Sequence, residues 1–141
     1  MTGEGPLPEW PAGTVAILAT AGAAPHAIPV STAVRAGPHR VLLALARSRA
    51  SLARMREDPR CALTVLARDD VGFTAHGRAA VLQEPMAVAE SVVAVAIDID
   101  DVQSHADPRF VIDAGVGWRW VDDEAAVRDA AIHEALRRLA G

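Results

Sequence analysis

The 141-residue chain contains no lysine, no tyrosine and no asparagine. Without lysine there is no Schiff-base chemistry, and without tyrosine there is no phenolic general acid. All 14 basic side chains are therefore arginines, so any phosphate must be held by guanidinium groups, hydroxyls or backbone N–H groups. The one cysteine, Cys61, can form no internal disulfide and offers zinc no thiol pair. Within CALTVLAR it reads as a small buried hydrophobe rather than a nucleophile. His26, His39, His76, His105 and His133 show no HxH or HxxxH spacing, so no metal site is expected.

No run reaches the roughly 18 uncharged apolar residues of a membrane span. The opening MTGEGPLPEWPAG has neither a basic n-region nor an apolar h-region. These features lead us to expect a cytoplasmic protein with no membrane partner. A net charge of −4 argues against a nucleic-acid partner, which usually demands a concentrated basic face.

What is present is apolar. Such residues make up 51% of the chain against 23% charged, a balance of globular rather than disordered chains. The length is that of one domain able to bury roughly two thirds of its unfolded surface. Residues 1–13 carry Gly and Pro without periodicity and are expected to form an N-terminal arm pinned by Trp10. Residues 14–141 are expected to form the single domain.

Short apolar runs bounded by turn residues predict the strands. VAILAT (15–20) is followed by the turn AGAAP. HAIPVSTAVRAG (26–37) is β-branched but contains Pro29, which belongs at a strand edge, start or bulge. RVLLALAR (40–47) leads into SRASLARMREDPR, a short helix ended before Pro59. CALTVLAR (61–68) and the alternating GFTAHGRAAVLQE (72–84) flank a hairpin turn at RDDVG. Within 86–102 the pattern predicts a short helix and then a strand from Val92 to Ile99. VGWRWV (116–121) alternates as a further, one-side-buried strand. DDEAAVRDAAIHEALRRLAG is a C-terminal helix, acidic at its start, basic at its end, with Val127, Ala131, Ile132, Leu136 and Leu139 at helical spacing. Strands joined mostly by short turns predict an antiparallel, mainly β barrel with a C-terminal helix rather than a βαβ sheet.

The order of three segments, VAILATAGAAPHAIPVS, ARSRASLARMREDPRCAL and the GRA of AHGRA, resembles the flavin-binding split β-barrel family. That family includes pyridoxamine 5'-phosphate oxidase and deazaflavin-dependent reductases. The likeness spans about Val15 to Trp120 and implies a six-stranded, Greek-key split barrel. It also implies a homodimer with FMN or the deazaflavin coenzyme F-420 at the subunit seam, and a small-molecule substrate. On this resemblance Arg47, Ser48, Arg49 and Ser51 would hold the cofactor phosphate. Pro29, Val30 and Ser31 would lie along the ring, and Trp118 and Arg119 would close the pocket from the second subunit.

Each assignment has a plainer counterpart: a solvated Arg-rich turn, an edge strand with a proline, and ordinary packing of one Trp. His26 has family context in PHxxP. The sequence departs from the family in placing Ser51 where members often carry Lys or Thr, and Arg54 where they carry Asn or Gln. An oxidoreductase transferring hydride is the leading expectation. A flavin- or haem-binding protein without turnover, or a dimer with an empty groove, are the alternatives, because fold does not fix function.

Overall fold

The computed structural model describes residues 2–3 and 5–141; Met1 and Glu4 of the expected arm lie outside them. The strands are β1 (Thr2–Gly3), β2 (Ala16–Thr20), β3 (His26–Val30), β4 (Val34–Arg35), β5 (Arg40–Ala46), β6 (Arg60–Ala67), β7 (Val71–Gln83) and β8 (Val92–Ser104). The helices are α1 (Ala50–Glu57) and α2 (Asp123–Ala140). All pairings are antiparallel, in the order β3-β2-β6-β7-β8-β5-β4, with β1 off this path on β8. The result is the expected split β-barrel, mainly β with two helices.

Alternation places Leu18, Leu63, Val65, Phe73, Leu43 and Val95 on the inner face, where all are essentially inaccessible. β5 is apolar on both faces because its outer face is covered too. Leu42, Ala44, Val92, Ala94 and Ala96 form a second cluster with Ile132 and Leu136 of α2, each of the two helix residues worth roughly 1.5–3 kcal/mol on burial. Val127 and Leu139, also at helical spacing, stay exposed. The start of α2 is fixed by Asp122, whose carboxylate accepts from the backbone N–H of Glu124 at 2.9 Å.

Trp10 does pin the arm. Its Nε1 donates to the Ala33 carbonyl at 3.0 Å, its ring lies 5.7 Å from that of Phe73, and nearby Leu7 is buried. Two Asp-Pro-Arg sequences make the same local clasp. The Asp58 carboxylate accepts from the backbone N–H, Nε and Nη2 of Arg60, and Asp107 does so from Arg109. Arg60 hydrogen bonds hold the Asp58 carboxyl at a pKa of about 2. The β6–β7 hairpin turns through Asp69 and Asp70 at φ 65° and 58°, a region short polar side chains tolerate.

The barrel closes through its chain rather than through a ladder. β3 and β4 are the two ends of the strand path, and they are joined by residues 31–33. There Thr32 Oγ1 both accepts from Ala44 N–H and donates to Ala44 C=O, at 3.0 Å each. A hydroxyl thus takes the place of the next backbone pair after Val34↔Leu42. Thr32→Val should cost about 1–2 kcal/mol, read as a lower urea midpoint at unchanged slope; an unchanged midpoint would mean that the hydroxyl does not close the barrel.

Four expectations are corrected. The run 26–37 is two strands, broken at Ser31–Ala33 where the chain crosses the slit. Residues 86–91 form no helix but a tight loop, with Met86 N–H bonded to Val92 C=O at 2.8 Å and Met86 and Ala89 buried under the second cluster. β8 does not end at Ile99 but continues to Ser104, because the first half of the long β7 needs a partner. Residues 116–121 form no strand and are exposed throughout. Just before them Gly115 packs onto the end of β6, where a Cβ would stand 2.7 Å from the Leu66 carbonyl oxygen.

Candidate functional site

Two hydrogen bonds bring distant segments to the slit. His26, at the start of β3, lies with Nε2 3.1 Å from Ser51 Oγ in the first turn of α1. Thr32, just past the end of β3, holds β5 at Ala44. β3 therefore runs beside the end of β5 and the start of α1. It is paired on one side only, to β2, so its other edge presents backbone groups to the slit. Pro29, which has no N–H, sits on this edge strand as strand chemistry requires. Its side chain is exposed, Val30 points into the core, and Ser31 is half-buried at the break.

The turn between β5 and α1 carries Arg47, Ser48 and Arg49, all exposed. Arg47 is anchored through its backbone N–H to Ser91 C=O at 2.9 Å. Its guanidinium makes one long contact, 3.5 Å to Glu90 C=O. The N-cap residue Arg49 makes no side-chain cap, and the first turn of α1 contains no acidic residue. Open N–H groups, the positive end of a helix dipole and unshielded arginines at one spot form an anion-binding arrangement.

Ser51 behaves differently from its expected place in a phosphate cradle. It is fully buried, and its hydroxyl is engaged by His26. Arg54 turns away from the slit: Nη2 donates to the Ala24 carbonyl, clasping α1 to the β2–β3 turn. Gly22 in that turn has φ +156° and leaves room for the guanidinium, since a Cβ there would lie 2.8 Å from Nη2. Trp118 and Arg119 make no bond to the slit of their own subunit. Trp118 Nε1 donates to Gly13 C=O at 2.9 Å, and its ring stands edge-on to Trp120 at 5.4 Å. Arg119 has no hydrogen bond or ion pair among the described residues.

Cys61 is buried, and that burial, with the negative charge of Asp100, pushes its thiol up to about 11; it is no nucleophile at neutral pH. No cluster of three metal-ligating side chains exists among the described residues, and no helix among them is long and apolar enough to cross a membrane. Thr32 is the residue that sequence reasoning missed. It directly follows the PVS segment, but its role depends on a partner twelve positions away.

No family model and no curated protein matches the chain. Among solved structures, the chain is similar to a pyridoxamine 5'-phosphate oxidase-like protein from Listeria innocua: 12% identity, TM-score 0.56, covering 67% of this chain and 90% of that one. It is also similar to a FAD-binding protein from Mesorhizobium loti, at 18% identity and TM-score 0.52, with 64% and 85% covered. A third similar structure is an F-420 reductase, at 14% identity and TM-score 0.53, with 66% and 91% covered. The fold is thus that of the pyridoxamine 5'-phosphate oxidase-like split barrels, whose solved members include flavin and deazaflavin proteins.

Proposed function

We propose that the protein is a cytoplasmic, homodimeric oxidoreductase that uses FMN or coenzyme F-420 to exchange hydride with a small organic substrate. The observation that carries this reading is the unshielded start of α1, where Arg47, Ser48 and Arg49 surround open backbone N–H groups beside the free edge of β3. Arg47 and Arg49 would pair with the terminal phosphate of FMN or the phosphodiester of the deazaflavin. Ser48 and the first-turn N–H groups, including that of Ser51, would add neutral donors. The buried Ser51 hydroxyl holds His26, and through it β3, at a fixed spacing from the phosphate. Pro29, Val30 and Ser31 would then present backbone groups to the hydrogen-bonding edge of the ring.

The bound ring supplies the hydride chemistry, and the protein supplies binding and orientation. Nothing in this reading needs a catalytic triad.

An uncovered face supports the dimer. On the outer side of β3, β2 and β6 lie Ala27, Pro29, Ile17, Ala19, Ala62 and Leu66, with Ile17 43% and Leu66 47% exposed. Trp118 and Trp120 add 40% and 45% exposed indoles. An apolar surface of this kind marks an association site, and a symmetric pair would cover it twice. Trp118 and Arg119 of the partner subunit would then reach the cofactor. Light scattering at micromolar concentration should give twice 14.8 kDa; a monomer would remove both the seam and these two residues from the site.

Turnover is tested with the loaded protein under anaerobic conditions. Reduction of its bound cofactor by a nicotinamide donor and reoxidation dependent on an added organic acceptor are expected. A bound cofactor that no donor reduces would mark a binding protein without turnover.

A further inference from the structure

A cavity of about 330 Å³ lies between the arm, β4 and α2, and shares no residue with the proposed cofactor site. One wall is the indole of Trp10, the other the aliphatic surface of Ala33 and Val34. Arg35 and Arg137 bring nitrogen donors to it from two elements. His133 is only 6% exposed, yet neither ring nitrogen has a hydrogen-bond partner. The Asp129 carboxylate is 3.5 Å from Nε2 without forming a hydrogen bond. Both nitrogens are inaccessible, so the imidazole backs the cavity and the arginines supply its donors.

Arg35 uses its Nε on Leu7 C=O at 3.0 Å, which fixes the guanidinium and leaves both Nη groups without a partner among the described residues. Arg137 gives Nε and Nη2 to Glu134 at 3.3 and 3.1 Å and keeps Nη1. We propose that this cavity binds a small organic monocarboxylate, its carboxylate held by Arg35 and Arg137 and its apolar body against Trp10 and Val34.

The charge of the ligand follows from the acids around the cavity. Glu134 is shared between Arg137 and Arg138, Asp129 faces the imidazole, and Glu9 stands exposed on the lining. Positive charge is left for one negative group, and a dianion such as phosphate meets repulsion from Glu9. The volume and the indole wall suit a compact planar or alkyl body. An occupant would touch both the N-terminal arm and α2.

The test uses benzoate as the probe in a Trp118→Phe/Trp120→Phe background, where Trp10 is the only remaining tryptophan. Benzoate should change Trp10 emission saturably, while benzamide, of the same shape without the charge, and inorganic phosphate should not. Arg35→Gln should weaken benzoate by about tenfold or more, the loss of a charge-assisted hydrogen bond. Since Arg35 also holds the arm through Leu7, Arg137→Gln on the exposed helix surface serves as a second variant, with melting temperature as the check on folding. No saturable response to benzoate overturns the proposal, as does an equal response to benzamide or undiminished affinity in both variants. FMN binding is read separately, so failure of the cofactor assignment and failure of this one are distinguishable.

Discussion

Arg47→Ala should weaken FMN by roughly 1.5–3 kcal/mol, about ten- to more than a hundredfold in Kd, while leaving riboflavin binding almost unchanged. The size follows from the character of the bond. Arg47 is exposed, its backbone is fixed to Ser91, and its guanidinium has only a 3.5 Å contact to give up. Little is lost in freeing it, and a charge-assisted bond to phosphate is gained. Riboflavin lacks the phosphate and is the internal control. Equal losses for both ligands, measured by flavin fluorescence titration, would show damage to the fold rather than to the cradle. No loss for either would place the phosphate elsewhere. Ser51→Ala has a different expected signature, because its hydroxyl faces His26 inside the protein: it should lower stability as well as affinity.

Gly77→Ala should destabilise the protein by about 3 kcal/mol or more, at the upper end of overpacking effects. Gly77 is the glycine of the GRA segment and sits at a register shift. His76 pairs with Asp101 and Gly77 with Ile99, so that Asp100 bulges out of the ladder. The bulge brings the Asp98 carbonyl over Gly77, where a Cβ would stand 2.1 Å from the oxygen and 3.1 Å from Ile97 Cγ2. Neither neighbour is a flexible side-chain end, and the central β7–β8 pairing would have to open. The melting temperature should fall by on the order of 10 °C. Gly117→Ala, with nothing within 4 Å of the added carbon, should change stability by less than about 0.5 kcal/mol. A Gly77→Ala protein as stable as the parent would show that the bulge is not as tight as described.

The elements legible in the sequence are those whose evidence is local. β2, β5 and β6 are short apolar runs bounded by Gly, Pro or Asp, β7 alternates, and α2 carries its own cap and charge gradient. The Arg47–Arg49 turn was legible for the same reason, since strand, turn and helix start follow one another within a few residues. What failed depended on distant partners. DDVQS, residues 100–104, is strand only because β7 is long enough to need it. VGWRWV alternates like a strand but follows a segment that packs onto the end of β6. The loop at 86–91 is fixed by burial beneath α2.

The site shows the same division. That Ser51 would lie in the first turn of a helix was readable. That its hydroxyl turns inward was not, because the cause is His26, twenty-five positions earlier. Arg54, an apparent departure at the cofactor edge, is explained by Ala24 and by the space at Gly22. Its guanidinium fastens the β2–β3 turn. Trp118 is tied to the arm at Gly13, so its contribution to a cofactor pocket depends on the subunit seam.

The most direct test of the account is a titration of cofactor-free protein with FMN and with coenzyme F-420, followed by visible absorption. Saturable binding of at least one of them is expected, with one cofactor per subunit and a perturbed spectrum that the Arg47→Ala protein fails to reproduce at the same concentrations. A protein that remains spectrally unchanged with both cofactors would contradict the assignment of the slit as a cofactor site.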